Sequence, residues 1–158
     1  MKAAGANAYS SILARMDEDQ GYRGWDLFQH GGDFAVHIVN AWPGNALKVH
    51  TTGGRLKPGQ WQHVFVTYDG SAKAGGLRIY VYGEVVEVKP DQDSLKDTIR
   101  NTVPLRIGQR SKGQVFEGGS IQDVRVYGRR ITAEEVAVLH RTGPLRAMLA
   151  LDPEKRTP

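Results

Sequence analysis

The sequence predicts an all-β fold: an antiparallel β-sandwich with one short C-terminal helix. Three observations predict it. Short apolar runs recur between Gly, Pro, Asn and Asp clusters. The stretch from Trp61 to Gly83, WQHVFVTYDGSAKAGGLRIYVYG, reads as two alternating strands around a loop of small residues. Only one segment, opening at Thr132, carries convincing helix-start chemistry. Within the hairpin, Val64, Val66 and Tyr68 fall on one side of the first strand and Leu77, Ile79 and Val81 on one side of the second.

Taken in order, the runs place strands at about residues 10–16, 24–30, 34–40, 46–52, 62–68, 77–82, 85–89, 103–108 and 120–127. The breaks between them, HGGDF, WPGNA, TTGGRLKPGQ and GSAKAGG, hold residues that tolerate tight or left-handed backbone. Trp61, which opens the hairpin, is expected in the core. Tyr80 and Tyr82 are expected on the outer face by alternation. The helix opens on T-A-E-E, where Thr132 caps and Glu135 reaches back, and Val136, Leu139 and His140 share a face. Further helical turns are expected in PLRAMLAL, before DPEKRTP reads as a linker. The chain therefore divides into a sandwich over 1–142 and a linker over 143–158.

Composition bounds the function classes. A chain of 158 residues suits one domain and buries about two thirds of its unfolded surface. Without cysteine there is neither a disulfide framework nor a thiolate metal site. No apolar run approaches the ~20 residues that span a bilayer, so no membrane insertion is expected. The net charge is +4, but the basic residues are spread along the chain. Arg100, Arg106, Arg110 and Lys112, with Arg125, Arg129 and Arg130, are expected to be solvated, and no nucleic-acid partner is expected.

The hairpin's opening Trp, its H-V-x-V-x-Y-D-G run and its L-R-I-Y-V-x-G strand resemble the signature of laminin-G-like, concanavalin A-type jelly rolls. The segment GSIQDVRVYGRRITAEEVAVL resembles the way such domains close, although Tyr82 and Gly128 stand where many relatives carry acidic or amide residues. More narrowly, RGWDLF, AVHIVNAWPGNALKV, SLKDTIRNTVPLRIGQRS and LRAMLALDPEKRTP are similar to the laminin-G-like insert of large planctomycete-type multidomain proteins. The resemblance implies a recognition module, with export to the periplasm or cell exterior. Jelly rolls of this kind usually begin with strands ahead of SSILARMD. Their lack here implies a fragment of a longer chain, with an open sheet edge that invites homo-oligomerisation.

The fold class that the resemblance implies also supports glycoside hydrolases, which set two carboxylates on one strand face. No E-x-D-x-x-E strand is present, and Glu84 and Glu87 have odd spacing, so no catalytic residue is assigned. The acidic runs Asp17, Glu18, Asp19 and Asp91, Asp93, Asp97 read as solvated loops. His37, His50 and His63 belong to outward sets and would line one face if their strands were neighbours. Sugar binding needs an aromatic plate and polar side chains for the hydroxyls. Tyr22, Arg23, Trp25 and Asp26 supply that mixture, as do Asn40, Trp42 and Asn45. The expected ligand set is Trp42, Trp25, Arg23, His37, Asn40 and Asn45, with a glycan or polysaccharide as partner. The alternative is a structural, self-assembling domain. Calcium at Asp69 and Asp123 is implied by the relatives, which hold it at a sandwich rim. No calcium loop is spelled out, and the two residues also suit a turn cap and an arginine pair.

Overall fold

Alternating inward and outward side chains build two antiparallel sheets in the computed structural model, which describes residues 1–149, with side-chain surroundings through residue 143. The strands are β1 (Tyr9–Asp17), β2 (Arg23–His30), β3 (Asp33–Ala41), β4 (Asn45–Thr51), β5 (Val64–Tyr68), β6 (Leu77–Val81), β7 (Glu84–Val86), β8 (Val88–Asp93) and β9 (Arg106–Ile107), followed by α1 (Ala133–Leu149). The larger sheet runs β8-β4-β3-β2-β1-β9 and the smaller β5-β6-β7. The chain crosses between sheets at Glu87, so the acidic run at Asp91 and Asp93 lies in an edge strand rather than a loop.

Between the sheets lies the core. Phe34, Val36 and Ile38 of β3 and Leu47 and Val49 of β4 meet Leu77, Ile79 and Val81 of β6. The hairpin pairs Val64 with Val81, Val66 with Ile79 and Tyr68 with Leu77, so the apolar faces read from the sequence coincide across the ladder. Trp61 departs from expectation. It precedes β5, which begins only at Val64, and is 45% exposed with the Lys2 ammonium 5.7 Å from its ring centroid.

Helix α1 covers the smaller sheet's outer face. Tyr80, outward by alternation, is buried there against Ile131 and Val136 rather than left for a partner. Tyr82 stays partly exposed. The capping box forms as the sequence predicts: the Glu135 N–H donates to Thr132 Oγ1 at 3.2 Å and the Thr132 N–H to Glu135 Oε2 at 2.8 Å. Arg129 adds two bonds to the same carboxylate, which holds Glu135 at a pKa of about 2. The helix continues past residue 142 to Leu149, into the linker expected over 143–158, and the remainder of that linker, 150–158, lies outside the described residues.

The strand expected over 120–127 is reduced to one bridge between Ser120 and Lys2. Asp123 has a φ of 53°, which takes the backbone out of the extended region, and its carboxylate accepts two hydrogen bonds from Arg125. The segment therefore stands off β5. A cleft of about 800 Å³ lies between them, lined by Trp61, Phe65, Ile121, Val124 and Leu139.

Candidate functional site

The larger sheet's outer face carries a pocket of about 340 Å³. Alternation puts it there. With Trp25 and Leu27 turned to the interior, Asp26, Phe28 and His30 of β2 must face outward. The β2–β3 register sets Asp26 opposite His37, and the β3–β4 register sets His37 opposite Lys48.

Asp26 organises the site from behind the wall. It is fully buried, with one oxygen 2.7 Å from His37 Nδ1 and the other accepting from Arg110 Nε at 2.7 Å. A buried carboxylate survives only with such partners, and here it fixes both of them. Phe28 packs edge-on against His37, with centroids 5.5 Å apart, and Trp42 does so from the other side at 5.7 Å. The Arg110 guanidinium carbon lies 4.7 Å from the Phe28 ring centroid and 5.6 Å from that of Tyr22.

Arg110 comes from a loop far along the chain, and the Asp17–Asp19 acidic run explains how it is held. Glu18 Oε2 accepts from Ser111 Oγ and the Gly113 N–H, each at 3.1 Å, and from the Lys112 N–H at 2.5 Å. The Lys112 ammonium meets Asp19 at 2.6 Å. This run is therefore a clamp on the 110–113 loop, and Arg110 is buried where solvation was expected.

Farther along the face, the His30 and His50 rings are 5.5 Å apart, and Asp91 accepts from Lys48 Nζ at 3.0 Å and lies 2.9 Å from His50 Nδ1. His30 is pushed below the usual histidine range by burial and by the Lys48 charge. His63 shares no face with His37 and His50. It leads into the smaller sheet, where its ring is 5.3 Å from that of His140. Burial, then His140 and the N-terminal ammonium, lowers its pKa, against an opposing pull from Asp123.

Both imidazoles thus bind protons less readily folded than unfolded. Between their folded values and the ordinary 6.5 the unfolded chain holds more protons, so stability rises with pH through that window and levels off above it. A melting temperature lower at pH 5.5 than at pH 7.5 is expected, with a smaller difference in His63→Gln. Equal midpoints at the two values would contradict these assignments.

Of the six residues expected to bind a ligand, two line this pocket, Trp42 and His37. Trp25 packs against the sandwich interior, on the opposite face of the same strand. Arg23 follows the same alternation and donates from Nε to the Asn40 carbonyl at 3.3 Å. Asn40 donates to the Thr98 carbonyl at 2.6 Å, and Asn45 bonds Asn40, Asp97 and the Lys96 N–H. Arg23, Asn40 and Asn45 thus take part in fastening the 94–101 segment to the sheet edge. Asp69 accepts the Ser71 N–H in a turn at 2.9 Å, and Asp123 is paired with Arg125. Among the described residues, no group of three or more His, Asp or Glu side chains is placed to hold a metal ion. Sequence reasoning missed Arg110, Phe28, His30 and Lys48 as site residues. The outward set of β2 and β4 carries three of them; Arg110 has no local signal.

Two packed antiparallel sheets define the class of protein, a β-sandwich. The chain belongs to the concanavalin A-like lectin/glucanases superfamily, matching its laminin-G-type model (Laminin_G_3) over residues 1–137. That superfamily includes binding and catalytic members, and the fold is compatible with a binding module. Among solved structures, the chain is similar to an S-layer domain-containing protein (residues 221–444) from Clostridium thermocellum, at 19% identity and a TM-score of 0.34. The match covers 85% of this chain and 64% of that one, so the chain spans less than two thirds of its neighbour's length. No curated protein matches the chain.

Proposed function

We propose that the protein is a non-catalytic carbohydrate-recognition module whose binding site is the outer-face pocket of the larger sheet. One observation carries this reading: Trp42, 39% exposed at the rim, stands edge-on to His37, whose Nδ1 is engaged by buried Asp26. A half-exposed indole offers a plate for the apolar face of a sugar ring. His37 Nε2 has no hydrogen-bond partner among the described residues and is available to a sugar hydroxyl. Pre-set polar groups among aromatic walls suit a shallow, modest-affinity site. The pocket wall carries no carboxylate among the described residues, which argues against the paired-acid chemistry of glycoside hydrolases.

A glycan array followed by calorimetry tests the reading. Trp42→Ala is expected to weaken the best ligand about tenfold, the loss of a stacking contact, with little change in melting temperature. Unchanged affinity would remove Trp42, and with it the proposed site.

A further inference from the structure

We propose that the pocket selects acidic sugars, and that Arg110 receives the carboxylate of a uronic acid residue. This rests on the carbohydrate reading and names its ligand class. Three features of the wall support it.

The first is the state of Arg110. The residue is only 9% exposed, yet only its Nε donates to another side chain, namely Asp26. Its two terminal nitrogens have no hydrogen-bond partner among the described residues, although the side chain lines the pocket. These nitrogens are not among the fully buried unpartnered atoms, so they reach the pocket's solvent and are free to donate to a ligand that displaces it. The rings of Phe28 and Tyr22 lie about it at 4.7 Å and 5.6 Å and hold the guanidinium among aromatic walls.

The second is the sign of the wall. Lys48 lines it with Arg110, and Asp91, the partner of Lys48, does not. Asp26 pairs with Arg110 through Nε and leaves the two terminal nitrogens to a ligand. The third is shape. A guanidinium fork accepts a planar carboxylate in two parallel bonds, a match that a hydroxyl does not reproduce. A sugar stacked on Trp42 with a carboxylate at C5 would present a plate and an anion together, the two groups that the pocket is built to receive.

The test is calorimetry on the whole chain with oligomers of galacturonate, glucuronate and mannuronate, each beside its carboxyl-reduced, uncharged counterpart. At least one acidic oligomer is expected to bind at least tenfold more tightly than its reduced form, the difference made by a charge-assisted bond. Arg110→Lys is expected to remove most of that preference. Since this change disturbs a buried pair, Lys48→Gln serves as a milder second variant, expected to weaken the acidic ligand several-fold and the reduced one by less, so that the ratio between the two falls; an unchanged ratio in both variants would overturn the acid preference. Equal binding of an acidic oligomer and its reduced form would overturn the acid preference and leave the carbohydrate reading standing. Binding of no oligomer, charged or reduced, would overturn the acid preference, and a blank glycan array as well would sink the broader reading.

Discussion

Asp26→Asn is expected to lower the melting temperature by roughly 10 °C. The change keeps the shape but removes the charge that two buried partners share: Arg110 at Nε and His37 at Nδ1, each 2.7 Å away. Breaking a buried ion pair on one side costs about 3–5 kcal/mol, because the remaining charge stays out of water without compensation. In a chain of this length each kcal/mol corresponds to about 2–4 °C. Thermal unfolding followed by circular dichroism measures it. Replacing both members, Asp26→Leu with Arg110→Met, is expected to recover much of the loss, since apolar side chains of similar volume fill such sites well. A single mutant that melts with the parent would show that the pair contributes nothing to stability.

Gly24→Ala is expected to be at least as damaging, by a different cause. Gly24 has a φ of +134°, and a β-carbon placed on it would lie 1.9 Å from the Arg15 carbonyl oxygen and 2.8 Å from Met16 Cα. Both obstacles are backbone of β1, paired with β2 at this point through Met16 and Gly24. The strands must separate, which also disturbs Asn101, whose amide donates to the carbonyls of Arg15 and Arg23. A cost of about 3 kcal/mol or more is expected, combining backbone strain with lost pairing. Gly44→Ala, where nothing lies within 4 Å, is the control. Comparable midpoints for the two variants would mean that the close approach at Gly24 is not a constraint.

Much of the fold was legible because it rests on local patterning. Period-two alternation in Val64–Tyr68 and Leu77–Val81 predicts both the hairpin and its buried face, and T-A-E-E predicts the cap of α1. The failures have physical causes. Residues 120–127 alternate like a strand, but the positive φ at Asp123 turns the backbone out of the extended region. Trp61 was placed by analogy with strand-opening aromatics, whereas the strand starts three residues later.

The site was legible only in part. Trp42 and His37 stood out as a loop aromatic and an outward imidazole. Trp25 has the same chemistry as Trp42, and only its position in β2 turns it inward. Trp25 and Asp26 are neighbours along β2 and so lie on opposite faces of the sheet. Arg110 is a tertiary residue of the site. It is brought 84 positions along the chain to Asp26 by a loop that Glu18 clamps, a relation no local pattern contains.

Strict alternation in β2 to β4 also separates two kinds of evolutionary freedom. Even-numbered Phe28 and Lys48 and odd-numbered His37 belong to the pocket, while their immediate neighbours Leu27, Leu47, Val36 and Ile38 belong to the core. The pocket wall can therefore be varied at every second position of three strands without touching the core, with Asp26 held constant as the buried anchor.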